Sequence, residues 1–124
     1  MKLDAASVGL GALATMAVGV PVATIGAVVL DDGSDLVFFF ALLALIGFLA
    51  GGYVGGFRRP EAPMAHGAVA ALAGFAVSQS VAALLQLARD ESVNPVAVAF
   101  NAMVAANLGL VGGLVGSRRR SAAT

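Results

Sequence analysis

Polar and charged residues gather into short clusters along the chain, and four apolar stretches run between them, at 5–30, 36–57, 64–88 and 95–116. At 1.5 Å of rise per residue, a helix over any of these reaches roughly 30 Å or more, the thickness of a bilayer's hydrocarbon core. The pattern predicts an all-α membrane protein of four transmembrane helices. The connections between them are short, which forces consecutive helices to run antiparallel, as an up-down bundle in a single domain over 1–124.

The boundaries carry helix-start chemistry. Ser34 or Asp35 can cap the second helix, and Asn94 followed by Pro95 reads as an N-cap with proline at the first helical position. Pro60 and Pro63 bracket the turn between the second and third helices. Pro21, inside the first, frees the carbonyl of Ala17 and predicts a kink. The first stretch does not read as a cleaved signal peptide. Asp4 follows Lys2, the apolar run is too long for a signal core, and no small-x-small cleavage site follows.

Composition agrees. Of 124 residues, 60% are hydrophobic and 11% charged, against about 25% charged in soluble domains. Too few charges remain to cover a water-facing surface, so the excess apolar area must face lipid or a partner. Zero formal net charge gives no bulk attraction to nucleic acid, and the absence of cysteine removes disulfide and thiol chemistry.

The placement of charge predicts orientation. Lys2, Arg58, Arg59, Arg118, Arg119 and Arg120 fall on the side of the termini and the middle loop, and Arg89 alone falls on the other, among Asp31, Asp32, Asp35, Asp90 and Glu91. Basic loops are retained in the cytoplasm, so a multi-pass protein with both termini cytoplasmic is expected. Arg58, Arg59, Arg118, Arg119 and Arg120 are then placed to meet anionic lipid head groups, the last three on a basic tail.

Residues 51–59, GGYVGGFRR, look at first like a phosphate-binding loop. They lie within the second span, however, without the preceding strand or the Gly-Lys-Ser/Thr ending that such a loop requires. Their match to residues 112–120, GGLVGSRRR, at an offset of 61 suggests a tandem duplication of 1–60 onto 61–120. A duplication of two-helix units predicts a two-fold axis along the membrane normal.

In lipid, close backbone approach and interhelical hydrogen bonds supply adhesion. Small residues spaced by four provide it: Gly47, Gly51 and Gly55 on the second helix, and Gly109 with Gly113 on the fourth. Gly9, Gly11, Gly19, Gly26, Gly67 and Gly74 add small positions to the first and third. Packing within the chain is the first use expected of these faces, ahead of a homodimer. Phe38, Phe39 and Phe40 read as a lipid-facing cluster.

No Asp, Glu, Lys or Arg falls mid-span, which argues against a proton-coupled carrier built on a membrane carboxylate. The intramembrane polar candidates are Gln79, Asn101 and Asn107, with Gln79 expected to meet Asn107 across the third and fourth helices. His66, the single histidine, reads as an interfacial residue at the start of the third helix, without the companions a metal site needs. No nucleophile and base converge by spacing, so no catalytic residue, metal or cofactor is assigned.

Four short spans, the GGYVGGFRR ending, and the proline-bounded turn into HGAVAALAGFAV resemble small bacterial four-helix integral membrane proteins of unknown function, actinobacterial in their Ala, Gly, Val and Arg content. The resemblance implies a bacterial inner-membrane protein and supplies no catalytic residue. The expected role is that of a non-enzymatic subunit acting by helix association, with itself or within a larger membrane complex. The alternative is a small oligomeric channel or carrier lined by Gln79, Asn101 and Asn107.

Overall fold

The computed structural model describes residues 2–29 and 35–123, in four helices: α1 (Ala5–Val29), α2 (Leu36–Arg58), α3 (Pro63–Ala88) and α4 (Pro95–Ala123). All four are long and apolar enough to cross a membrane. The chain is an all-α four-helix membrane protein, as the apolar stretches predict.

The helix starts differ in how well their side chains cap them. Asn94 behaves as expected, its Oδ1 accepting the backbone N–H of Val96 at 3.0 Å and of Ala97 at 3.3 Å. Asp35 occupies the N-cap position of α2 but makes no side-chain cap bond, because its own backbone is already helical, at φ −62° and ψ −22°. Ser34, the other candidate, lies outside the described residues. Pro21 sits inside α1 without ending it.

α4 runs past Gly116 to Ala123, so Arg118 to Arg120 ride on its last turns and are not a separate tail. Nothing between 117 and 123 breaks a helix, and arginine and alanine favour one.

Helices α2 and α3 form the centre: each touches the other three elements, and among the described residues α1 and α4 do not touch. Exchanging the two halves would turn the α2–α3 contact into an α4–α1 contact. The bundle therefore lacks the two-fold axis along the membrane normal that a duplication predicts. The cause lies where α2 meets α3: a methyl group added at Gly55 would stand 2.8 Å from the His66 carbonyl oxygen, so the two backbones are pressed together across that junction.

All five glycines singled out by spacing are buried, and each faces backbone or a small side chain of a neighbouring helix. Gly47 faces Val18, Gly51 faces Thr15 and Gly11, and Gly55 faces His66 and Gly67. Gly109 lies against Gly67, Ala68 and Ala71, and Gly113 against Pro63 and Gly67. A methyl at Gly52 would lie 2.6 Å from the Gly109 Cα, so α2 and α4 meet backbone to backbone. The stripes are thus consumed inside the fold. Gly9 is the exception: it is exposed, with nothing within 4 Å of a Cβ there.

The α1–α3 seam is a parallel ladder. Ser7, Gly11, Thr15 and Gly19 recur every four residues on α1, and His66, Ala70, Gly74 and Ser78 do so on α3. Gly11 meets Ala70, Thr15 meets Gly74 and Gly19 meets Ser78. A small core of Phe48, Ala71 and Ala105 fills the bundle centre, with Phe48 edge-on to Phe75 at 5.9 Å.

Candidate functional site

At the end of the bundle that carries the termini, polar groups tie the helices together. Asp4 caps α1: its Oδ2 accepts the Ser7 backbone N–H at 3.1 Å and also the Ser7 hydroxyl. Arg59 pairs with that carboxylate at 3.2 Å and with Glu61 at 3.3 Å, and Arg58 Nε donates to Ser7 Oγ at 3.3 Å. The Ser7 hydroxyl, and then Arg59, hold the Asp4 carboxyl well below the usual carboxylate range.

His66, in the first turn of α3, is 1% exposed and ties α3 to the start of α1. Its Nδ1 lies 2.8 Å from the Ala62 carbonyl, and its Nε2 accepts the Asp4 backbone N–H at 2.9 Å. A carbonyl only accepts and an N–H only donates, so the ring is neutral with its proton on Nδ1. The sequence signal for this junction was the spacing-by-four stripe itself, extended through Ser7 and His66.

Arg120 on α4 donates to the carbonyl of Phe57 at 2.9 Å and lies over the Phe57 ring, closing the C-terminal end of α2. Arg59 and Arg120 thus have partners inside the chain. Arg119 lines a shallow cleft of about 310 Å³ beside Tyr53 and Phe57, whose rings stack 6.0 Å apart.

Among the described residues the other end is open. Between the ends of α3 and α4 a polar cavity of about 730 Å³ is lined by Gln79, Gln86, Glu91, Asn94 and Asn101, among others. Below it a second, mostly apolar crevice of about 250 Å³ runs between Phe48 of α2, Phe75 and Ser78 of α3, and the Gly19 turn of α1. Gln79, Ala82 and Asn101 line both, so the two adjoin. Glycine explains the asymmetry. Between Gly47 and Gly56, α2 offers five glycines to its neighbours, whereas between Leu36 and Ile46 it carries phenylalanine, leucine and isoleucine, which hold the helices apart.

Two buried side chains, Thr15 and Ser78, have hydroxyls without a hydrogen-bond partner. Thr15 Oγ1 is pressed toward the backbone of Gly51, in a place too tight for any ligand. Ser78 Oγ is enclosed in the same way, set against the backbone of Gly19, although the residue borders the apolar crevice. A hydroxyl left unpaired out of water costs about 1–3 kcal/mol. Its neighbour Ser80 shows the usual relief, donating to the Ala76 carbonyl at 2.7 Å.

Gln79 and Asn101 therefore share a site, and Asn107 does not join them. Depth alone suggested the Gln79–Asn107 pair. Six residues of α-helix turn through about 600°, so Asn101 and Asn107 point about 120° apart, and only one can face α3. Asn107 is exposed, and its Nδ2 donates to the Met103 carbonyl of its own helix at 2.8 Å. It stands mid-helix on the outward face of α4, among the exposed Phe100, Met103, Val111 and Val115.

No three His, Asp or Glu side chains come together as a metal site among the described residues. Comparison of the chain with protein-family models, with curated proteins and with solved structures finds no match.

Proposed function

We propose that the protein is a non-enzymatic subunit of the bacterial inner membrane that works by associating with a second copy of itself through the outward face of α4. Asn107 carries the reading. Its amide lies midway along an otherwise apolar, exposed helix face, satisfied only by a bond to its own backbone. An amide is both donor and acceptor, so two copies meeting about a two-fold axis can exchange a matched pair of hydrogen bonds. The glycine stripes are already occupied within the chain, which leaves this face as the polar attachment point in lipid.

Interhelical hydrogen bonds in membranes contribute about 0.6–2 kcal/mol each. Asn107→Leu is therefore expected to weaken association by about tenfold or more, a tenfold change being 1.4 kcal/mol, while leaving the monomer folded. The measurement is native mass spectrometry from lipid particles, where the wild type should appear at twice 12.2 kDa. A wild-type monomer with no co-purifying protein sinks the reading, and a partner of different mass replaces the second copy with that partner.

Arg118 and Arg119, with Lys2, support contact with anionic head groups on the side of the termini, taken as cytoplasmic from the charge bias. The alternative is a channel or carrier whose path several copies frame with Gln79, Asn101 and Asn107; helical phase counts against it, since Asn101 and Asn107 point about 120° apart on α4.

A further inference from the structure

We infer that the open end of the bundle is a binding site for a small uncharged amphiphile: an apolar body seated in the lower crevice, and a hydroxyl or carbonyl oxygen held by Gln79 and Asn101. The inference is independent of self-association, which uses a different face of α4.

Three observations converge. The first is shape. The upper cavity, at about 730 Å³, falls within the roughly 300–1,000 Å³ of small-molecule sites, and it adjoins an apolar crevice of about 250 Å³. The crevice is walled in part by Phe48 and Phe75, whose rings stand edge-on to each other.

The second is chemistry. Where the polar cavity and the crevice adjoin, Gln79 and Asn101 carry side-chain amides that make no hydrogen bond to other described residues. Two amides together give and receive hydrogen bonds, which suits a hydroxyl or carbonyl oxygen.

The third is charge. Among the described lining residues Glu91 is the one ionisable group, and it is paired with Arg89 at 3.6 Å. A carboxylate entering the cleft would meet Glu91 without a cation on the described lining to receive it. An uncharged head group carries no such penalty, and one with no hydrogen-bonding atom would leave the Gln79 and Asn101 amides unmatched.

The test uses the full chain in lipid nanodiscs and a diazirine-bearing octanol as the probe, with cross-linked peptides located by mass spectrometry. Saturable labelling is expected within the 71–82 segment of α3, displaced by octanol and at least tenfold less well by octanoate or octane. Asn101→Leu and Gln79→Leu should each reduce labelling severalfold, while Asn107→Leu should leave it unchanged. Labelling spread evenly over lipid-facing residues such as Val111 and Val115 overturns the inference, as does equal displacement by octanoate. Should Gln79→Leu fail to fold, the exposed Asn101 variant decides the question alone. Loss of the dimer in Asn107→Leu with labelling retained would separate this site from the self-association face.

Discussion

Glycines of identical chemistry differ here by what a methyl group would meet. At Gly52 the nearest atoms belong to the backbone of Gly109, with its Cα at 2.6 Å, so a side chain can be accommodated only by moving a helix. Gly52→Ala is expected to destabilise the bundle by about 1–3 kcal/mol, the usual cost of overpacking. Gly9→Ala, with nothing within 4 Å, should be neutral or slightly stabilising, since alanine is the better helix former. Reversible unfolding in mixed detergent micelles measures both, and equal losses at the two sites would refute the packing account. Asp4 supplies a prediction of a different kind. Its carboxyl is held below the ordinary range, so the folded state binds fewer protons than the unfolded one. The stability it contributes is complete above the unfolded value near pH 4, and is lost as pH falls further. Asp4→Asn should flatten the acid side of the stability profile below about pH 4, read from the same unfolding curves.

Helix ends show how much of each element was legible in advance and what hid the rest. Length and hydropathy located all four spans, because bilayer thickness sets a minimum that no other feature of this chain imitates. The Asn94–Pro95 start was legible because a cap uses neighbours in sequence. The end of α3 falls at Ala88, where the apolar stretch put it, but the way it closes was not legible. Glu91 N–H returns to the Gln86 carbonyl at 2.8 Å and Asp90 N–H to that of Leu87 at 3.2 Å, with Asp90 left-handed at φ 59°. That closure is usually made by glycine, which alone adopts the conformation freely, so an aspartate disguised it. Asp90→Gly is expected to raise stability by roughly 1 kcal/mol, and a decrease would mean that the aspartate side chain holds the turn. The candidate site was legible in part. Gln79 and Asn101 share a cleft, whereas the place of Asn107 depended on helical phase, which depth does not report. The His66–Asp4 junction joins residues 62 apart and needed the fold.

At the scale of the molecule the bundle is polarised, closed by glycine contacts toward the termini and open where α3 turns into α4. If positive charge sets the orientation, the open end faces away from the cytoplasm, and the cleft is then reached from outside the cell. The chain has no cysteine, so single-cysteine variants report one position each. Ser92→Cys, in the polar cavity, should react with a membrane-impermeant maleimide added to intact cells. Ala71→Cys, at 0% exposure in the core, should stay unlabelled before and after permeabilisation. Asn101→Cys, where the two cavities join, should react more slowly than Ser92→Cys and be protected by octanol if the crevice holds such a molecule. Labelling of Ser92→Cys only after permeabilisation would invert the topology. The six basic residues at the terminal end would then have crossed the membrane against the bias that normally retains them, and the cleft would sample the cell interior. The amphiphile site survives that inversion, because its walls do not depend on which compartment they face, but the pool of molecules that reaches it changes. Labelling from outside fixes both at once: a pocket that opens to the exterior, and a basic, glycine-sealed base that rests on the inner leaflet.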